Sequence, residues 1–162
     1  MVACLDECTV SLSPILRRGW ALKGSRPVAK INHSRYRFHI IGVRTKKTFV
    51  FSFIVKQNQK TFVRFLKRLV KRFPKLIIFT DNASWHKGKL LKIFLQKRKR
   101  TLRIYFFPTY SPELNPVEQH WKMLKNKLGN KCLRSVSTTK YHTNNILKRK
   151  DLMPKMFLYF SN

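Results

Sequence analysis

The spacing of hydrophobic and polar positions changes several times along the chain, and each change marks an element. Residues 1–10 (MVACLDECTV) alternate loosely and read as a strand, with Cys4, Asp6 and Cys8 on one face and Leu5 and Glu7 on the other. Ser13-Pro14 ends it, and residues 17–27 (RRGWALKGSRP), punctuated by Gly19, Gly24 and Pro27, read as a loop. Residues 35–45 (RYRFHIIGVRT) and 48–56 (TFVFSFIVK) are β-rich and parted by a basic turn, Lys46-Lys47, so a hairpin is the simplest arrangement. From Gln57 the period lengthens: Phe62, Phe65, Leu66, Leu69, Val70 and Phe73 recur at helical spacing, and Pro74 closes the helix. Residues 76–79 (LIIF) form a continuous apolar run suited to a strand covered on both faces, with Asp81 at its C-terminal end. Residues 87–100 read as a second helix with Leu90, Leu91, Phe94 and Leu95 inward, and residues 103–107 (RIYFF) as another buried strand. After a turn over 108–116, a helix begins at Pro116 with Val117, Trp121, Leu124 and Leu128 on one stripe and Gly129 as its stop. A weaker helical pattern spans 138–150, and residues 154–160 (PKMFLYF) form an apolar end. The order β-β-β-α-β-α-β-α implies an α/β fold, a mixed sheet with helices on both faces.

Composition narrows the class. A chain of 162 residues with 43% hydrophobic and 13% aromatic residues is globular and can build one real core. Its apolar runs are too short to span a bilayer, and no charged-then-apolar leader opens it, so an intracellular, cytoplasmic protein with no membrane partner is expected. Three cysteines, Cys4, Cys8 and Cys132, form no disulfide framework, and no second pair joins Cys4 and Cys8 to complete a zinc site. Charge changes the picture most. Lys and Arg total 36, and the six acids are Asp6, Glu7, Asp81, Glu113, Glu118 and Asp151, with none from residue 8 to 80. A formal net charge of +30 attracts polyanions. A ribosome-associated protein or a membrane-surface binder would share that charge; nucleic acid is the partner it fits best, and a nucleoid location follows.

Three acids fall at similar places in this plan: Asp6 on the first strand, Asp81 at the end of the fourth, Glu118 in the first turn of the last core helix. Carboxylates brought together raise one another's pKa, and divalent cations with a taste for hard oxygen ligands, Mg²⁺ or Mn²⁺, remove that penalty. Two such ions, roughly 3.5–4 Å apart, activate a water or 3′-hydroxyl and stabilise the leaving oxygen. Each acid also has a plainer role open to it. Asn115-Pro116-Val117-Glu118 fits N-cap to N3, so Glu118 could close a capping box. Asp81 could be a turn or cap residue before Asn82-Ala83-Ser84. Asp6 competes with Glu7, and Glu113 with Glu118. His86 could touch phosphate or support the site, or simply start a helix or pack. Trp20, Trp85 and Trp121 could stack on bases, although Trp121 lies on an apolar stripe.

Together these residues resemble a known family. The run DNASWH (81–86), with 36 residues between Asp81 and Glu118, and the block SPELNPVE (111–118) are similar to the catalytic domain of DDE transposases, in the insertion-sequence branch of the Tc/mariner superfamily. Leu5-Asp6-Glu7 and the loop 17–27 resemble the family's first acidic strand and the Gly-containing loop after it. The resemblance implies a ribonuclease-H-like catalytic domain over residues 1–129, with 130–162 as a basic helical tail. It also implies that Asp6, Asp81 and Glu118 are catalytic and bind two Mg²⁺ ions, Mn²⁺ substituting. Asn82 and His86 fall on accessory positions, and Glu7 and Glu113 become bystanders. Lys87, Lys89, Lys122 and Lys125 are the cations expected to contact DNA. The implied reaction is hydrolysis at element ends followed by strand transfer to target DNA, with double-stranded DNA as partner and a homodimer or synaptic complex as the assembly.

One departure stands out: family members carry an N-terminal helix-turn-helix region, and this chain starts five residues before Asp6. That region is expected to be absent, with the chain a truncated or split copy; the rival expectation is a catalytically inactive basic relic that binds nucleic acid. A ribonuclease acting on RNA–DNA hybrids would share fold and metals. The charge predicts similar affinity for unrelated DNA duplexes, falling steeply between low and physiological salt in a fluorescence-anisotropy titration. A preference for one short sequence that survives high salt would contradict it.

Overall fold

The computed structural model describes residues 1–13, 16–28 and 34–152; the apolar end at 154–160 lies outside them. Five strands, β1 (Val2–Ser11), β2 (Arg37–Thr45), β3 (Phe49–Ile54), β4 (Leu76–Thr80) and β5 (Leu102–Phe106), form one sheet in the order β3-β2-β1-β4-β5. The first three run as an antiparallel meander, and β4 and β5 lie parallel to β1. Four helices accompany them: α1 (Gln59–Arg72), α2 (Lys89–Gln96), α3 (Pro116–Leu128) and α4 (Val136–Lys148). No helix among the described residues is long and apolar enough to cross a membrane.

The pleat of β1 sorts the core into two layers. Ala3 and Leu5 pack with Phe62, Phe65, Leu66 and Leu69 of α1 and with Leu91 of α2. Cys4, Cys8 and Val10 pack with Val117, Trp121, Leu124 and Leu128 of α3, joined by Leu133 and by Leu147 of α4. The helices therefore cover both faces, and β1 is the strand sealed on each side. The predicted hairpin is present: β2 and β3 pair from His39–Ile54 to Arg44–Phe49, and Thr45 and Thr48 close the turn through side-chain and backbone bonds of 2.9–3.2 Å. Asn58 caps α1 by accepting from the Thr61 N–H, and Ser135 caps α4 by accepting from Thr138.

Several expectations are corrected. β5 is an edge strand with Tyr105 and Phe106 partly exposed, not a buried one. The second face of β4 is only half covered, because α3 lies over β1 and β2 and leaves Phe79 to stack on Tyr105 and Phe107. On the opposite face of β5, the Lys87 ammonium lies over the Phe106 ring at 5.2 Å. α2 runs over eight residues rather than 87–100, and Leu90 is exposed. Gly129 ends α3 with φ −57°; the left-handed position belongs to Asn130, φ 56°. There the Asn130 side chain accepts from the Arg17 N–H (2.8 Å) and donates to the Arg17 carbonyl (3.0 Å), tying the loop after β1 to the end of α3.

Gly42 pairs with Asp6 across β1 and β2. A Cβ there would stand 2.6 Å from Phe49 Cζ and 2.9 Å from Trp121 Cη2. Gly42→Ala is expected to cost about 1–3 kcal/mol, as overpacking does, seen as a lower urea midpoint with altered Trp121 emission. An unchanged midpoint would contradict this close packing.

Candidate active site

Where β4 leaves the sheet, β1 continues. Their parallel pairing runs Val2–Ile77, Ala3–Ile78, Cys4–Phe79, and two residues further the register sets Asp6 level with Asp81. From the other direction, Asn115 anchors the start of α3 to β1: its side chain donates to the Leu5 carbonyl (3.4 Å) and accepts from the Val117 N–H (3.1 Å). Glu118 follows in the first turn of α3. Its capping-box role is not taken, since the Asn115 N–H donates to the Pro112 carbonyl at 3.0 Å.

The three acids line one cleft of about 320 Å³, whose walls are completed by Asn82, Ala83, Asn115 and the segment from Phe107 to Pro112. Its described lining contains no lysine or arginine, in a chain that has 36. Asp6 is buried, and its Oδ2 accepts from Trp121 Nε1 at 2.9 Å. Burial, then the nearby Glu118 and Asp81 charges, push its carboxyl up to about 7 against the opposing Glu7 N–H and Trp121. Asp81 is half exposed; the hydrogen bond from His86 lowers its pKa. His86 Nδ1 stands 2.7 Å from Asp81 Oδ1, and Nε2 stands 3.7 Å from Glu7 Oε1. Burial opposes protonation of His86, but the two carboxylates outweigh it and raise its pKa to about 9. The Asp81 turn bond is present as well, with the Ala83 N–H 3.4 Å from Oδ1. Asn82 donates to the Phe107 carbonyl at 2.7 Å, holding the ends of β4 and β5 together past their last paired residues.

The donor set suits a hard divalent cation: three carboxylates in one cation-free cleft, one of them raised by the charge of the others. They share the cleft without converging on a point, and among the described residues no group of three or more His, Cys, Asp or Glu stands closely enough to hold a metal ion. Cys4 and Cys8 are core residues whose thiols burial pushes up to about 12 and about 11, which disfavours the thiolate form. Glu113 is exposed in a 3₁₀ turn and does not line the cleft. Lys87, Lys89, Lys122 and Lys125 are also outside its lining; the first three are exposed, and Lys125 is half-buried near Cys8.

Sequence reasoning missed four neighbours. Trp121 is core, as expected, yet also donates to Asp6; its position one turn after Glu118 was the available signal. Asn115 reaches across to β1. Tyr110, 96% exposed, lines the cleft with φ 59°, a strained backbone for an aromatic residue. Glu7 turns away from the cleft and lies behind His86.

This sheet and cleft define a ribonuclease-H-like domain of the DDE transposase kind. The chain belongs to the DDE superfamily endonuclease family, which matches residues 1–140. It is 24% identical over 128 residues to the insertion element IS630 uncharacterized 39 kDa protein of Shigella sonnei, an alignment covering 76% of this chain and 37% of that one. Its fold is similar to that of the Mos1 strand transfer complex (TM-score 0.74, 15% identity, 93% of this chain and 48% of that chain). It also matches the catalytic domain of the Mos1 mariner transposase (TM-score 0.67, 13% identity, 94% and 72%). Mos1 paired-end complexes with Mg and with Mn share the fold. The chain thus spans under half the length of the Shigella relative and of the Mos1 chain in the strand transfer complex.

The raised groups set a pH dependence. An Asp6 carboxyl at about 7 when folded, against about 4 unfolded, holds its proton more tightly in the native state. The contribution of Asp6 to stability is therefore complete below pH ~4 and lost as pH rises through ~7. His86 adds a second contribution, complete below pH ~6.5 and lost as pH rises through about 9. In EDTA, Tm should fall between pH 5 and 9, and Asp6→Asn should flatten the lower limb. A Tm that climbs over that range would contradict these assignments.

Proposed function

We propose that this domain cleaves DNA phosphodiester bonds and transfers strands in DNA transposition, with Asp6, Asp81 and Glu118 as ligands for two Mg²⁺ ions. One observation carries the reading: half of the chain's six acids face one cleft whose described lining lacks any lysine or arginine, in a protein of net charge +30. Such a cleft is a poor place for a phosphate backbone unless a cation neutralises it, while the basic surface around it draws DNA in. Bound there, Mg²⁺ or Mn²⁺ supplies Lewis-acid stabilisation of charge developing on the phosphate oxygens. The residues do the rest by placement. Trp121 holds the Asp6 carboxylate by one oxygen; Asn115 sets the first turn of α3, and with it Glu118, against β1. Asn82 fixes the strand ends that frame the opening. Lys87, Lys89, Lys122 and Lys125 position phosphates without reading sequence. Element ends and target DNA are the substrates, and a homodimer or synaptic complex is the assembly that would join them, as the Mos1 complexes suggest.

The purified protein is expected to nick supercoiled duplex DNA with Mg²⁺ or Mn²⁺ and not in EDTA, with Asp81→Asn falling to background. Equal activity in both proteins, or none in either, leaves the chain a basic relic that binds nucleic acid. Preference for an RNA–DNA hybrid over duplex in direct competition would replace the transposase reading with a ribonuclease one.

A further inference from the structure

Glu7 is the one acid buried away from the cleft. Its side chain is 5% exposed, and neither carboxylate oxygen has a hydrogen-bond partner among the described residues. A buried carboxylate without compensation is costly, so its retention in an acid-poor chain calls for a role. Oε1 stands 3.7 Å from His86 Nε2, an imidazole that is 1% exposed and set against the Phe62 ring at 4.1 Å. The opposite nitrogen of the same ring donates to Asp81 Oδ1 at 2.7 Å. Both bonds to the Asp81 carboxylate, from His86 and from the Ala83 N–H, fall on Oδ1; Oδ2 has none among the described residues.

We propose that Glu7 is a positioning residue: acting through His86 from behind the sheet, it fixes the Asp81 carboxylate with Oδ1 turned inward and Oδ2 presented to the cleft. This rests on the reading of Asp81 as a cleft ligand. Glu7 orients the imidazole, the imidazole locks one oxygen, and Asp81, itself at a half-exposed strand end, keeps one orientation instead of several. Glu7 follows Asp6 directly on the rigid central strand. One peptide unit therefore sets both aspartates, the first in person and the second through the ring. Asp81 would then offer a bound cation a single oxygen.

The test compares wild type with Glu7→Met, which keeps the side chain's bulk and removes the oxygens that face His86 Nε2, and Glu7→Gln, which keeps an oxygen there. In metal-free protein with labelled histidine, wild type should show a downfield His86 Nδ1–H resonance from the bond to Asp81. Glu7→Met should shift or broaden it while melting as a folded protein, and Glu7→Gln should retain it. In Mn²⁺ titrations followed by electron paramagnetic resonance, Glu7→Met should bind about 10-fold more weakly, the usual cost of removing an outer partner of a ligand, and Glu7→Gln should stay close to wild type. A His86 resonance unchanged in folded Glu7→Met overturns the proposal. If wild type takes up no Mn²⁺, the reading of Asp81 as a ligand falls, and the resonance still decides whether Glu7 holds the ring.

Discussion

The parallel pairing of β1 with β4 stops after three rungs, and the rest of the site depends on that stop. Had β4 continued, its backbone would fill the space beside Asp6 and its next side chains would be locked into the sheet. Instead β4 breaks at Thr80, the chain turns through a 3₁₀ segment at Ser84–His86, and the exposed flank of β1 is met by Asn115 from the start of α3. An open β1 flank lets a carboxylate on a sealed central strand face a cleft at all. The remaining elements serve to keep that opening framed: Asn82 to Phe107 on one side, Trp121 against Gly42 on the other.

Charge organises the same picture at longer range. A chain with 36 cations pays self-repulsion for its affinity toward polyanions. Its surface can hold a phosphate backbone almost anywhere, which is binding without discrimination. The cleft differs in sign from its surroundings. The burial and mutual field that raise Asp6 make the same cleft receptive to a divalent cation and mildly unfavourable to the protein without one.

Much of this could be read from residues alone, and the failures share a cause. Strand and helix positions up to Pro74, the hairpin at Lys46-Lys47 and the α3 stripe follow local period, and local period is what sequence carries directly. The run RIYFF looks the same whether a strand lies mid-sheet or at an edge; only the placement of α3 over β1 and β2 leaves β5 uncovered. Leu90 lies within α2 yet is exposed, because the short helix turns Leu91 inward and leaves its neighbour on the open side. Asp6, Asp81 and Glu118 were legible as a set through order and spacing, but not their separation across the cleft. Glu7 was set aside because the family resemblance puts the first acid at Asp6; that His86 would arrive on the far face is a tertiary fact with no one-dimensional trace.

The pleat at Asp6 and Glu7 has a consequence for how the protein can fail. Adjacent carboxylates on a strand sealed on both faces occupy two unlike compartments, one open to solvent and one closed. A slip of the strand by a single position would exchange them, sending the wrong acid into each chamber. Misalignment of this one ribbon would therefore disarm the molecule and turn Ala3 and Leu5 away from their layer in the same stroke, so the frame that permits chemistry is also the one that packs the core.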